Sequence, residues 1–211
     1  GDLTRFPEPT RVLKYPHVVM TGYAQRGYVV SASTEYGGSG SSSYQAWNAF
    51  DGLTGTLDYW SGGGGAASTT ALYNTSNPFN FTGSGAPYET SVSGTTYTGD
   101  WIQLEFPNKI VLNKAIVKSG GTATDRFPRQ GVFAGSNDGV NWYAIHIFSG
   151  LNGGINETSI VTNSENNTDE YKYIRLIVTH LNGNGYAGIA TLNFYGTEED
   201  TGTPAIVGGP F

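Results

Sequence analysis

The chain has no cysteine, which excludes disulfides, thiolate metal sites and cysteine nucleophiles together, so stability rests on the core. It is also poor in charge: Asp, Glu, Lys and Arg make up 13% of its 211 residues, about half the usual share. Lysine and arginine number 11 together and the formal net charge is −6. The basic footprint that binding to a phosphate backbone requires is therefore missing, and nucleic acid is not an expected partner. No run approaches the ~20 apolar residues of a membrane-spanning helix, and residues 1–9 hold no apolar stretch of the signal-peptide kind. Amphipathic helical periodicity is nearly absent. The chain begins at Gly1 rather than Met, which suggests a processed product or a piece of something longer.

What is present is glycine and rings. There are 31 Gly, 14 Tyr, 10 Phe and 4 Trp, and that aromatic content argues against a disordered chain. Short β-branched and aromatic runs bounded by Gly, Asn, Ser and Pro recur throughout, the pattern of an all-β sandwich of antiparallel strands. In residues 101–106, Ile102, Leu104 and Phe106 share one face while Gln103 and Glu105 share the other, which marks a half-buried strand. Residues 171–179 repeat this, with Ile174, Leu176 and Val178 inward and Tyr171, Tyr173 and Arg175 outward. Further strands are expected over 27–33, 110–118, 131–136, 141–148 and 189–195, and His146 is expected to be an exposed strand residue. Ser136-Asn137-Asp138-Gly139 supplies the turn chemistry of a hairpin. Residues 61–99 form a long, irregular but ring-rich stretch, of a length that compact domains seldom keep without a use. One domain over 26–196 is expected, with 61–99 as an insertion, 1–25 as a lead-in and 197–211 as an exit segment or linker.

A series of short motifs then carries a resemblance. Residues 28–33 (YVVSAS), 46–52 (AWNAFDG), 59–61 (YWS), 101–104 (WIQL), 135–142 (GSNDGVNW), 173–176 (YIRL) and 192–196 (LNFYG) follow one another in this order. Their order and spacing are similar to those of the coagulation factor 5/8 type C, or discoidin, family, which includes the family 32 carbohydrate-binding modules. The resemblance implies a discoidin-like jelly roll whose loops at one end bind glycans, lipids or proteins. It also implies that Trp60, Trp101 and Trp142 are packed structural anchors, and that Gly52 and Gly139 serve backbone geometry.

Members of this family often hold one calcium in the loop after the Asp-Gly motif, as a possible structural cofactor. Carried over, the ligands would be carbonyls of Ala49 and Thr54, the Asp51 carboxylate, Thr56 and, on the last strand, Thr191, where the family commonly presents a Glu. The alternative is that Asp51 only caps its loop by accepting backbone N–H bonds. Three scattered His give no zinc spacing. For a sugar ligand, stacking rings and a guanidinium's fixed donors are needed. Arg126, Phe127 and Arg129, with His180, Asn182 and Tyr186 from a second loop and Tyr88 from the insertion, are the candidate contacts. Arg126 and Arg129 would otherwise be a solvated surface pair. The His-and-two-Arg motif of fucose-binding relatives is not matched, so no monosaccharide is carried over.

The first functional expectation is a non-catalytic glycan-binding or adhesion module, outside the cell, on a cell surface or on a virion. The second is a structural or capsid-associated domain that meets protein neighbours in a larger assembly and binds no glycan. The expanded Tyr/Thr/Gly-rich insertion and the acidic segment 197–200 look similar to modules in structural proteins of large DNA viruses of algae. An enzyme is not expected, since no Gly-x-Ser-x-Gly elbow exists and the carboxylates form no recognisable glycosidase pair. Asn74, Asn80, Asn156 and Asn166 each sit in an Asn-x-Ser/Thr sequon and would be glycosylation candidates in a secreted eukaryotic protein.

Overall fold

The computed structural model describes residues 11–37, 43–53, 58–63, 72–74, 76, 78–121, 124–162, 168–183 and 185–198. Among them the strands run β1 (Leu13–Tyr15), β2 (Ala24–Gln25), β3 (Tyr28–Ala32), β4 (Trp60–Ser61), β5 (Glu89–Val92), β6 (Thr95–Thr98), β7 (Asp100–Ser119), β8 (Pro128–Ser136), β9 (Tyr143–Phe148), β10 (Thr158–Val161), β11 (Tyr171–Leu181) and β12 (Gly188–Thr197), with a 3-10 turn at Ala46–Phe50. The named strands pair antiparallel throughout.

Strand β7 organises the sandwich. Its first half pairs with β3 and β11, Leu104 lying opposite both Val30 and Ile174. Its second half pairs with β12 and β10, Val117 lying opposite Leu192 and Thr158. One strand thus serves two sheets, β3-β7-β11-β8-β9 and β1-β12-β7-β10. The change of sheet falls where the register to β11 slips between Glu105 and Ile110, and Pro107, exposed in that interval, is tolerated there because it has no N–H to offer a ladder. Ile102, Leu104, Phe106, Ile174, Leu176 and Val178 are all 0% exposed, as their alternation predicts. They meet Leu112, Val117, Leu192 and Phe194 of the second sheet in one core. Burying each large side chain of this kind contributes about 1.5–3 kcal/mol.

The outer face of β11 differs from expectation. Tyr171 is buried in the main core, stacked on Tyr143 at 6.4 Å, and Tyr173 and Arg175 are half-buried rather than solvent-facing, because the β5–β6 hairpin packs over their face. Val92 joins Val132, Ala134, Trp142 and Ile177 there in a second apolar cluster, edged by Tyr97, Trp101 and Tyr173. The expected irregular insertion is therefore largely structured in its described part. Tyr73 and Phe81 bridge to each other, both are buried, and the Tyr73 hydroxyl donates to the Val178 carbonyl at 2.9 Å. The expected lead-in also contributes, since Leu13–Tyr15 pair with Phe194–Gly196. His146 corrects another expectation: it is half-buried while Ile147 is exposed, and burial pushes its pKa down. The 136–139 hairpin stands as read, with Gly139 at φ +74° and Asp138 accepting the N–H groups of Val140 and Asn141 at 2.8 Å each. Those bonds hold the Asp138 carboxyl well below the usual carboxylate range.

Candidate functional site

At the end of the sandwich where β3, β7 and β11 finish or begin and β8 and β12 start, five loop segments converge and are tied by backbone bonds. Tyr36 N–H donates to the Ser61 carbonyl at 2.8 Å, Ser61 N–H to the Tyr44 carbonyl at 3.3 Å, Gly62 N–H to the Ala187 carbonyl at 3.0 Å and Gly188 N–H to the Arg126 carbonyl at 3.2 Å. Together these segments enclose a cavity of about 140 Å³ lined by Tyr36, Tyr44, Tyr59, Ser61, Arg126 and Tyr186.

The four rings stand edge to face in a chain. Centroid separations are 5.5 Å for Tyr186–Tyr36, 5.4 Å for Tyr36–Tyr44 and 5.0 Å for Tyr44–Tyr59, with interplanar angles of 81°, 87° and 69°. Such geometry fixes the ring orientations beyond what burial alone does. Glycine makes the arrangement possible: a Cβ at Gly63 would stand 3.2 Å from the Tyr36 ring and 3.4 Å from that of Tyr186, and one at Gly120 would fall 2.3 Å from Tyr59. The Arg126 guanidinium donates to the Tyr59 hydroxyl and lies over that ring at 5.5 Å. Burial raises the Tyr59 pKa, opposed by the Arg126 charge, and burial also raises that of Tyr186, so both phenols remain neutral at physiological pH. The Ser61 hydroxyl is already engaged, donating to the carbonyls of Ala187 at 3.1 Å and Gly62 at 3.3 Å.

A buried carboxyl supports the wall from behind. Asp100 is fully buried; its Oδ1 accepts the Ser33 and Thr34 hydroxyls at 3.1 and 3.0 Å, while its Oδ2 has no hydrogen-bond partner among the described residues. The same Thr34 hydroxyl accepts Gly63 N–H at 3.2 Å, linking Asp100 to the cavity rim. Burial pushes the Asp100 pKa up to about 6, against the pull of the hydroxyl donors.

Of the residues expected to meet a ligand, Arg126 and Tyr186 share the cavity. Phe127 does not face a ligand: it is 0% exposed and lies in the main core, a correction of the sequence reading. Its N–H closes a turn on the Thr124 carbonyl at 3.3 Å, and the ring lies so close to Gly153 that a Cβ there would fall 2.2 Å from it. The Asn182 side chain donates to the Gly153 carbonyl at 2.9 Å, and Tyr88 packs on Phe81 at 5.1 Å; neither lines the cavity. Arg129 is exposed beside His180, whose pKa is lowered by burial and then by that positive charge, and His180 bridges Asn80. Sequence reasoning missed Tyr36, Tyr44 and Tyr59 as wall residues. The signal for two of them was rings flanking a Gly/Ser run at 37–43.

The residues expected to hold calcium are partly among the described ones. Ala49, Asp51 and Thr191 are buried, whereas Thr54 and Thr56 lie outside the described residues. Asp51 Oδ1 accepts Leu53 N–H at 2.7 Å, the loop-capping alternative, and burial raises its pKa, with the Asp58 charge raising it further. An all-oxygen set with a buried carboxylate and a second acid nearby fits a hard cation. Among the described residues no three His, Cys, Asp or Glu cluster, so most ligands would be carbonyl and hydroxyl oxygens.

No protein-family model matches the chain, and no curated protein does either. Solved structures are similar in fold. A carbohydrate-binding module of family 32 from Clostridium perfringens, in complex with GalNAc-β-1,3-galactose, is 18% identical with a TM-score of 0.53, over 80% of this chain and 94% of that one. A second from the same organism, in complex with galactose, is 13% identical with a TM-score of 0.52, over 80% and 93%. An F5/8 type C domain from Bacteroides fragilis is 16% identical with a TM-score of 0.54, over 81% and 92%. The architecture is thus that of the discoidin-like β-sandwich shared by these modules.

Proposed function

We propose that the chain is a non-catalytic glycan-binding module and that its site is the cavity between Tyr36, Tyr44, Tyr59, Tyr186 and Arg126. The observation that carries this reading is the cavity itself: four rings and a guanidinium at the loop end of a sandwich whose structural neighbours include modules in complex with galactose and GalNAc-β-1,3-galactose. Rings offer apolar faces to a pyranose, and phenol and guanidinium groups bond its hydroxyls. Loops on a rigid scaffold are where such residues are usually found. A cavity this small holds one terminal sugar, so single-site affinity is weak and attachment to a cell or particle surface relies on several copies. A glycan array with the parent chain and the Arg126→Ala and Tyr36→Ala variants tests it. Parent binding that both variants lose supports the site; absence of glycan binding, with a protein neighbour protecting the 61–99 region, would replace it with the protein-interaction reading.

The calcium expectation becomes part of the same proposal. An ion held by Asp51 with oxygens of Ala49, Thr54, Thr56 and Thr191 would neutralise a buried acid and fix the loop that follows the 3-10 turn. Since a ligand bound only by the folded state stabilises it, chelation then lowers the melting temperature and added calcium restores it.

A further inference from the structure

Resting on the glycan-binding reading above, we propose that the ligand carries an anionic substituent, a carboxylate or a sulfate ester, that seats on Arg126. The argument is an inventory of donors and acceptors. A guanidinium presents five N–H donors and no acceptor. Tyr59 takes one of them, and no other hydrogen bond links Arg126 to a described side chain. Nor is the charge paired: among the described residues the ion pairs are His17–Glu198 and Lys172–Glu105. Asp125, next in the chain, packs against Gly183, where an added Cβ would lie 2.6 Å from its own, and it does not line the cavity.

The rest of the lining points the same way. It holds no Asp, Glu, Asn, Gln or His among the described residues, and the Ser61 hydroxyl proton is committed to backbone carbonyls. Among the described lining, a sugar hydroxyl that must donate finds its side-chain acceptors in the phenol oxygens and Ser61 Oγ, none of them charged. An acceptor-only group finds the guanidinium donors that Tyr59 does not take. A half-buried cation without a counter-charge is also costly to desolvate, and an incoming anion offsets that cost through short, charge-assisted bonds. Neutral sugars can enter the same space and accept from the guanidinium, but they leave its charge unpaired.

The test is a glycan array, followed by titration calorimetry of the hits, with matched neutral, uronic-acid and sulfated versions of the same backbones at about 50 and 300 mM NaCl. The intact chain is compared with Arg126→Lys and Arg126→Gln, and melting curves confirm that each variant is folded. The expected result is at least ~10-fold tighter binding of an anionic member than of its neutral parent. High salt weakens that preference, Arg126→Gln abolishes it and Arg126→Lys keeps part of it; the uronic-acid and sulfate arms identify which anion is read. If the neutral parents bind as tightly as both anionic forms, the inference is overturned while the glycan-binding reading stands. If no glycan binds, both fall. Should Arg126→Gln fail to fold, the salt dependence and Arg126→Lys still decide.

Discussion

Two arginines of this chain rest on aromatic rings, and their surroundings differ in kind. Arg175 is sandwiched between indoles, its Cζ 3.7 Å from the Trp101 centroid and 4.1 Å from that of Trp142. Its donors are taken as well, by Gln103 Oε1 at 3.2 and 2.9 Å and by Thr90 Oγ1 at 2.8 Å. Both faces and most of the edge are filled, and burial lowers its pKa to about 10. Arg126 touches one ring and one hydroxyl and turns its remaining edge toward a cavity. The first guanidinium joins the β5–β6 hairpin to the outer face of the sheet. The second is placed where something from outside can complete it.

The sharpest way to break this contrast is to remove the filled arginine. Arg175→Ala leaves Gln103 and Thr90 without their donor and uncovers two indoles, so urea unfolding should show a loss of about 2–4 kcal/mol. A change below ~0.5 kcal/mol would mean that the sandwich does not hold the hairpin. Asp100 extends the comparison to a buried acid with one oxygen unmatched. Burial lifts its folded-state pKa to about 6, above the ordinary aspartate value of 3.8, so between those values the native state retains a proton that the unfolded chain releases. Stability from this group is fully present below pH ~4 and is lost as pH rises through ~6, by up to about 3 kcal/mol. In Asp100→Asn that fall should vanish from melting curves taken between pH 4 and 8; an unchanged slope would show that another group titrates.

A smaller response is expected at the Asp51 loop, where chelator should shift the melting temperature down by a few degrees. Coincident curves with chelator and with calcium remove the ion. Smallest of all should be the stability change in Arg126→Gln, under about 1 kcal/mol for a half-buried residue with one bond, even as the preference for an anionic glycan is lost. A large destabilisation would erase the distinction from Arg175.

The sandwich was legible because period-two alternation is imposed by the pleat: Ile102, Leu104 and Phe106 could be placed inward from six consecutive residues. The cover over β11 was not, because Tyr173 and Arg175 are amphipathic and read as solvent-facing whether or not a distant hairpin folds onto them. At the cavity, Arg126 could be named because Lys and Arg together number only 11, and Tyr186 because it is a ring in a loop that follows a clear strand. Phe127 was misplaced for a local reason, since a turn on Thr124 swings the ring inward just before β8 begins, and linear sequence does not carry that rotation. Tyr36, Tyr44 and Tyr59 come from segments far apart in sequence from Arg126, and only the ties between loops bring them together.

The passage of β7 through both sheets has a consequence for how the molecule comes apart. Because residues 102–105 are hydrogen-bonded within one layer and 114–117 within the other, neither layer can open without losing part of a strand that the other requires. Amide hydrogen exchange along β7 should therefore proceed only through whole-domain opening, at one common free energy for both halves. The fold behaves as a single cooperative unit, and the rim around Arg126 can exchange its loops without dividing it.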